Sequence, residues 1–333
     1  MSEGPTTSEG TEDKVARQIF ESNYISRDLS WLQFNYRVLD QARHVGRSLF
    51  DRLKFLSITA SNLDEFCTIR LGSLYNYVDY GKDRVDYSGL RENPFRGLLL
   101  AAIRKFVDDQ NGFYIESLKP HFQENNFIIA GYDELTAEEA GRVDKYFSLT
   151  IYPMLTPMVF DSYHTFPVLK NHQLLFGVVT KASGESNNNK RVSFIQVPGN
   201  ISRFYEIVRP DGRILFVPVE LIIRKNIQVL FRNVEVRSIN LFRINRNQDF
   251  TLEESEDIES NFLEELRRKL QTRKSGRVVR LDVHENADPW MLRVLKIQWD
   301  IDDQNIITIP REGLLDFTGL LQIINHTEFK DQR

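Results

Sequence analysis

The chain has 333 residues, of which 41% are hydrophobic and 27% are charged, and it contains a single cysteine. This length allows about two domains of roughly 150 residues each, and one cysteine excludes an internal disulfide and a zinc site built from several cysteines. The net charge of −4 argues against nucleic-acid binding over the whole surface, and no stretch reaches the roughly 20 apolar residues of a membrane span.

The first 23 residues are polar and lack the apolar segment of a signal peptide. We predict that residues 1–23 form a disordered tail, because such a composition buries too little apolar surface to order a chain. The tail and the lone cysteine together favour a cytoplasmic protein, either free or peripheral at the membrane.

Helical periodicity runs through residues 24–126, which we predict to be an all-helical, bundle-like domain. A first helix, capped by Asp28 or Ser30, has an apolar stripe made of Trp31, Phe34, Val38, Leu39 and Ala42. After a polar loop at 79–94, residues 98–121 predict a further long helix.

Two helix-start patterns lie between these helices. Ser48-x-x-Asp51 places a capping hydroxyl and a carboxylate at the start of a second helix. Ser61-x-x-Asp64, with Glu65 beside it, repeats the pattern and predicts that a new helix begins near residue 61. A helix start there would offer free backbone N–H groups to an anion.

Residues 127–333 mix strands and helices without regular alternation, so we predict an α+β head domain. Thr136-x-x-Glu139 is a capping box that opens a helix. Apolar runs predict strands at 174–180, 192–197, 214–217, 234–244 and 278–283. Helices are predicted at 252–272 and 289–295, and the polar segment 183–190 is predicted to be a hairpin-type loop.

The catalytic motifs that we sought are not in the sequence. It contains no G-x-x-x-x-G-K-[ST] or G-x-G-x-x-G phosphate loop and no H-E-x-x-H zinc motif. None of the six histidines stands in the H-x-K pattern of phosphohistidine enzymes of the phospholipase D type, and a histidine nucleophile needs a second group to orient it. We therefore assign no catalytic residue and no metal ligand to this chain.

Two long runs nevertheless resemble signatures of the polyphosphate kinase family. They are residues 27–39 (RDLSWLQFNYRVL) and residues 53–66 (LKFLSITASNLDEF). Segments 155–161 with 166–169, 241–249 and 276–281 continue the resemblance into the head domain. Phe160 and Thr165 depart from the family pattern, in which smaller residues or proline are expected.

The resemblance implies a reaction in which the terminal phosphate of ATP passes reversibly to inorganic polyphosphate through a phosphohistidine, with magnesium. It also implies an N-terminal helical domain at 24–126 and a head domain at 127–333. The family's nucleophile and metal-binding arginines belong to C-terminal domains of phospholipase D-like fold, which we expect to be absent from this chain. We therefore expect the chain to be inactive alone and to form homo-oligomers through the head domain.

One nucleotide contact carries over by the resemblance, since the asparagine of the S-N-L-D-E-F signature contacts ATP in this family. That residue is Asn62 here, and its carboxamide can donate and accept hydrogen bonds. The alternative reading is that Ser61 or Asn62 only caps a helix. Arg27, Arg37 and Arg70 flank the signatures and are candidates for polyphosphate contacts, while ion pairs with Asp28, Asp64 or Glu65 are the alternative.

A second functional hypothesis remains beside the enzyme part. The chain would then be a stand-alone module that binds nucleotide or polyphosphate, or that dimerises, and that regulates or complements a separate catalytic half. The reading frame after Arg333 distinguishes the two hypotheses, because an H-x-K segment in the continuing frame would exclude the module.

Overall fold

A computed structural model describes residues 26–79, 92–182, 190–248 and 276–332. The predicted tail at 1–23, most of the predicted loop at 183–190 and the predicted helix at 252–272 lie outside the described residues. No helix in the part that the structure describes is both long enough and apolar enough to cross a lipid bilayer.

The first region is helical, as predicted. Its helices are α1 (Arg27–Arg43), α2 (Leu49–Phe66), α3 (Gly72–Asp79) and α4 (Glu92–Phe113), with π-helical segments at Cys67–Leu71 and Tyr114–Leu118. The first π segment joins α2 to α3 in one uninterrupted helical run. Ser48 caps α2 as predicted, because its hydroxyl accepts a hydrogen bond from the backbone N–H of Asp51 at 3.1 Å.

Other predicted helix boundaries were wrong. Ser26, rather than Asp28 or Ser30, is the N-cap of α1. The predicted helix start at Ser61 does not exist, because Ser61 lies inside α2 and its backbone continues an established helix. Helix α4 begins at Glu92, inside the predicted loop, and its α-helical part ends at Phe113 rather than near residue 121.

The apolar stripe of α1 was only partly predicted. Phe34 is 45% exposed, whereas the buried positions of this helix are Leu32, Asn35, Leu39 and Ala42. The buried stripe contains Asn35 because a hydrogen bond from its side chain to the Thr59 carbonyl, at 3.0 Å, satisfies the amide. Trp31 stacks on Phe66 with 4.3 Å between ring centroids, which fixes α1 against α2.

The second region is α+β, as predicted, and contains two sheets. Strands β1 (Phe127–Ile129), β6 (Ile214–Pro218) and β5 (Phe204–Val208) form a three-stranded sheet in the order β1-β6-β5. A six-stranded sheet has the order β2-β4-β3-β7-β8-β9, with β2 (Met158–Phe160), β3 (Leu174–Ala182), β4 (Lys190–Gln196), β7 (Val234–Arg246), β8 (Val278–His284) and β9 (Ile306–Ile309). Sequence reasoning did not predict β1, β2, β5 or β9 as strands.

Helices cover these sheets. They are α5 (Ala137–Tyr146), α6 (Val219–Asn226), α7 (Pro289–Trp299) and α8 (Leu320–Ile324). The capping box of α5 is present as predicted, with Thr136 and Glu139 exchanging hydrogen bonds. Helix α7 covers one face of the six-stranded sheet with Met291, Leu295 and Trp299.

The opposite face of the six-stranded sheet meets the helical region. One apolar cluster contains Leu63 and Phe66 of α2 together with Leu241 of β7 and Val279 of β8. Between these apolar contacts, the same face of β7 and β8 carries buried charged side chains.

Candidate functional site

Asp64 is the residue through which the C-terminal end of α2 meets the sheet. Its carboxylate receives hydrogen bonds from both terminal nitrogens of Arg243 on β7, at 2.8 and 2.5 Å. The side-chain amide of Asn245 donates a further hydrogen bond at 3.2 Å. Because Asp64 is 7% exposed and Arg243 is 5% exposed, this is a buried bidentate ion pair.

Arg280 on β8 extends the pair into a buried cluster. Its guanidinium donates two hydrogen bonds to Asp282, both at 2.7 Å, and lies 3.9 Å from the carboxylate of Asp64. It also lies 3.7 Å from the sulfur of Cys67, which follows α2 directly. The pairing register between β7 and β8 shifts next to Arg280, passing from Asn245↔Arg280 to Arg246↔Val278.

The charges of this cluster stabilise each other. Burial opposes ionisation of Asp64, but the adjacent guanidinium groups of Arg243 and Arg280 lower the pKa of Asp64 to about 2. Burial also raises the pKa of the Cys67 thiol to about 11, despite the nearby Arg280. Cys67 is therefore a neutral, buried thiol at physiological pH and is no nucleophile.

The π-helical segment forms a second contact between the helices and the sheet. The N–H of Gly72 bonds to the Cys67 carbonyl five residues earlier, so the Thr68 carbonyl is left free to accept a hydrogen bond from the Gln248 N–H at 3.1 Å. A side chain on Gly72 would lie 2.2 Å from the side-chain oxygen of Asn247. The absence of a side chain at Gly72 therefore allows the close approach of α3 to the chain after β7.

His172 lies at the edge of the junction between α2 and the six-stranded sheet. Its backbone has φ of 58°, in the left-handed region, and its ring Nε2 lies 3.1 Å from the Thr68 hydroxyl. Its carbonyl accepts a hydrogen bond from Nε of Arg243 at 3.1 Å. Burial, followed by the charges of Arg243 and Arg280, lowers the pKa of His172 despite the opposing charge of Asp64, so the ring is neutral at pH 7.

A cavity of about 460 Å³ lies beside this junction. It is lined by Ser61, Asp64, Glu65, Thr68, Ile69, His172, Arg243, Gln248 and Thr318. The positive charge of Arg243 is already neutralised by Asp64 and His172 is neutral, while Glu65 is exposed. These charges do not make the cavity a strong site for an anion.

Asn62, in contrast to Asp64, contacts helix α1. Its side-chain amide donates a hydrogen bond to the side-chain oxygen of Asn35 on α1 at 3.2 Å, and the residue is partly exposed. Two residues correspond to about 200° of rotation around an α-helix, so Asn62 and Asp64 project from nearly opposite faces of α2. Both the predicted cap role and the predicted free N–H groups are excluded for Asn62, because it lies inside the helix.

The three candidate arginines are exposed on the helical region. Arg27 lies 3.8 Å from Asp28, in agreement with the ion-pair alternative. The guanidinium of Arg37 lies 5.9 Å from the centre of the Phe34 ring, and Arg70 is in the π-helical segment. The ion pairs of Asp64 are formed with Arg243 and Arg280 instead.

Sequence reasoning missed the buried cluster of Asp64, Arg243, Arg280 and Asp282. A signal was present, since Arg243 and Asn245 alternate with apolar residues along β7, and Arg280 and Asp282 do so along β8. Charged residues at every second position of an apolar strand indicate one face that meets a polar partner. The sequence does not show which residue that partner is.

Comparison with known proteins assigns the family. Residues 24–130 match the family model of the polyphosphate kinase N-terminal domain, and residues 138–323 match that of the polyphosphate kinase middle domain. This chain belongs to the polyphosphate kinase family. The resemblance of its two signature runs is thereby confirmed.

Individual relatives agree with this assignment. The polyphosphate kinase of Halalkalibacterium halodurans is 34% identical over 322 residues, which cover 95% of this chain and 45% of that protein. That of Mycolicibacterium gilvum is 31% identical over 316 residues, covering 94% of this chain and 42% of that protein. The chain therefore spans less than half the length of these polyphosphate kinases.

A solved structure shares the fold. The crystal structure of polyphosphate kinase from Porphyromonas gingivalis superposes with a TM-score of 0.68 at 23% sequence identity, covering 90% of this chain and 41% of that one. The chain thus contains the N-terminal and middle domains of a polyphosphate kinase, a helical region followed by an α+β region. The division at residues 126 and 127 stays a prediction.

Proposed function

We propose that this chain supplies the N-terminal and head domains of an enzyme that reversibly transfers the terminal phosphate of ATP to inorganic polyphosphate. The similarity to polyphosphate kinases over 95% of the chain carries this proposal. The transfer would pass through a phosphohistidine outside these two domains, because no histidine of this chain stands in an H-x-K pattern. The chain alone would not catalyse the transfer.

Asn62 is the proposed ATP contact of this chain. Its bond to Asn35 uses one amide hydrogen, so its carbonyl oxygen and second amide hydrogen remain as a donor and acceptor pair that suits a nucleobase edge. Ile58, one helical turn earlier, is 37% exposed and offers apolar surface beside it. Asn35, which is buried, would orient the Asn62 carboxamide.

Arg27, Arg37 and Arg70 are the proposed contacts for the phosphate groups of polyphosphate. All three side chains are exposed, and a planar guanidinium matches the oxygens of a phosphate group. Neutralising one of them would weaken polyphosphate binding, and the loss would shrink as salt concentration rises because exposed charges are screened.

Magnesium would be held elsewhere in the assembled enzyme. In the described ranges, no group of three or more His, Cys, Asp or Glu side chains could hold a metal ion. We assign no step to magnesium on this chain. We further propose a cytoplasmic location, free or peripheral at the membrane, and homo-oligomers formed through the head domain, which sedimentation of the purified chain would test.

The deciding experiment measures ATP-dependent polyphosphate synthesis by the purified chain, alone and with the remaining C-terminal part of the Halalkalibacterium halodurans enzyme added in trans. We expect synthesis only in the mixture, and we expect Asn62→Ala to raise the ATP concentration needed for half-maximal rate. Asn125→Ala, which removes another partly exposed carboxamide, is the matched control. Synthesis by the chain alone that is lost on Asn62→Ala would overturn the proposal.

A further inference from the structure

A second cavity, of about 240 Å³, lies where the parallel strands β8 and β9 end. Helix α6 and the middle of β7 complete its walls. Its polar lining consists of Arg224, Asn240, His284, Glu285, Asn286 and Arg311. We call this cavity the head pocket. It is far larger than the roughly 10–15 Å³ that one water molecule needs.

Two arginines converge on the head pocket without acidic partners. Among the residues that the structure describes, neither Arg224 nor Arg311 has a carboxylate within ion-pair distance. Glu220, one turn before Arg224 on α6, is engaged with both of its oxygens by Arg203. Burial, and then the charge of Arg311, lowers the pKa of Arg224. Two cations thus line the same cavity, one of them partly buried, and their mutual repulsion is unfavourable until an anion enters.

His284 supplies the third group. Within the described part of the chain, its ring nitrogen Nε2 is buried and has no hydrogen-bond partner. Burial, and then the charge of Arg224, lowers the pKa of His284 to about 4, so the ring is neutral at pH 7. A buried polar atom without a partner costs free energy, and a ligand in the pocket would recover that cost.

The head pocket also contains one opposing charge. Glu285 is exposed at its rim, and one of its oxygens accepts a hydrogen bond from the backbone N–H of Arg311 at 3.4 Å. The net charge of the lining at pH 7 is therefore positive by one unit, from two arginines and one glutamate. The Asn240 side chain already donates a hydrogen bond to the Gly177 carbonyl and accepts one from the Asp288 N–H. Asn240 therefore forms part of the pocket wall, and the arginines bind the anion.

We infer that the head pocket binds a phosphoryl group, held by the guanidinium groups of Arg224 and Arg311 with His284 at its base. Guanidinium groups offer planar pairs of N–H donors that match phosphate oxygens. This site is separate from Asn62 and belongs to the head domain. The inference rests on the proposed function for its physiological ligand, which is the end or a short segment of inorganic polyphosphate.

A carboxylate of another protein chain is the rival occupant for two unpaired arginines. The shape of the site favours the smaller anion, because Arg224 on α6 is partly buried, with its guanidinium 5.9 Å from the centre of the Phe176 ring on β3. The unpartnered His284 nitrogen is buried as well. A compact anion that fills the cavity contacts all three groups.

Calorimetric titration of the full chain with inorganic triphosphate tests the inference. We expect saturable binding that weakens by about tenfold or more in Arg224→Gln and in Arg311→Gln, the loss of one charge-assisted contact. Arg293→Gln is the matched control, because Arg293 is an exposed arginine on α7 and is not among the residues that line the head pocket. Parallel titrations with orthophosphate, ATP and sulfate distinguish a phosphate chain from a free phosphate, a nucleotide and a general anion.

Histidine NMR signals locate the bound anion. The chain has six histidines, and His284→Gln assigns the relevant ring signal. That signal should shift on adding triphosphate to the parent chain and to Arg293→Gln, and at the same triphosphate concentration it should shift less in Arg224→Gln. Thermal unfolding of each variant checks folding, and Arg311→Gln, at an exposed position, keeps the test decisive if Arg224→Gln does not fold.

Three outcomes would overturn the inference. The first is that the parent chain does not bind triphosphate. The second is that Arg293→Gln weakens triphosphate binding as much as Arg224→Gln does. The third is that Arg224→Gln changes the oligomeric state while no anion binds, which would assign the arginines to a protein partner. Failure here leaves the transfer reaction untouched, since synthesis with the added C-terminal part and its dependence on Asn62 are measured separately. Triphosphate binding without synthesis would conversely support the head pocket and refute the proposed reaction.

Discussion

Asn62 and Asp64 are two residues apart on α2, yet they belong to different parts of the molecule. Asp64 is buried in a cluster with Arg243 and Arg280 that joins the helices to the six-stranded sheet. Asn62 is partly exposed on the other side of the helix, and its side-chain amide donates a hydrogen bond to Asn35. One short signature therefore combines a structural position with a position available to a ligand, and the two can be separated by mutation.

The largest expected effect is the loss of stability in Asp64→Ala. Removing this carboxylate leaves Arg243 buried without its bidentate partner, which costs about 3–5 kcal/mol. Urea unfolding measures the loss, and Asp40→Ala, which removes an exposed ion pair with Arg43, should cost no more than about 1 kcal/mol. Equal stability of the two variants would mean that the cluster does not hold the two regions together.

The pH dependence of stability should report the same carboxylate. The pKa of Asp64 is about 2 in the folded chain and near 3.8 without these contacts, so the unfolded chain takes up the proton first as the pH falls. The contribution of Asp64 is complete above about pH 4 and is lost as the pH falls through 2, a change of about 2–3 kcal/mol. Unfolding measured from pH 5 to pH 2 should show this slope in the parent chain and a smaller slope in Asp64→Asn.

Gly72→Ala tests the contact made beyond the π-helical segment. The added methyl group would lie 2.2 Å from the side-chain oxygen of Asn247, and such overpacking costs about 1–3 kcal/mol. The double variant Gly72→Ala with Asn247→Ala should recover part of the loss in thermal unfolding. No recovery would show that the cost arises somewhere other than this approach.

Asn62→Ala should have the smallest effect on stability, about 1 kcal/mol for one lost hydrogen bond to Asn35. In the completed enzyme, Asn62→Ala should change the ATP concentration needed for half-maximal rate more clearly than it changes stability. A stability loss as great as that of Asp64→Ala would remove the distinction between the two sides of α2 and assign Asn62 a structural role.

Local patterns were predicted well where a short segment determines its own structure. Ser48 and Thr136 are N-caps, as predicted, because a hydroxyl followed three residues later by an acidic residue satisfies a local N–H group. The same pattern at Ser61 and Asp64 was misread. Asp64 bonds to Arg243, 179 residues away, and a sequence window around α2 cannot show that partner.

The candidate site, like the helix starts, was predicted only in part. The resemblance of residues 53–66 indicated Asn62 but gave no reason to separate it from Asp64. The head pocket had no local signal, because Arg224, His284 and Arg311 come from a helix, a strand end and a turn that only the folded sheet brings together. Residues far apart in the chain are invisible to periodicity and short motifs.

The π-helical segment at Cys67–Leu71 has a geometric consequence for everything after it. One π turn holds an additional residue compared with an α turn, so the angular positions of α3 are offset from those that α2 would have continued. Tyr75 is thereby directed to Asn305, just before β9, and to Arg96 on α4. The Asn305 amide and the Arg96 guanidinium donate hydrogen bonds to the Tyr75 hydroxyl at 2.5 and 3.1 Å. A single extra residue in one turn thus shifts the phase of the helix, and one continuous helical run contacts β7 through Asp64 and the segment just before β9 through Tyr75.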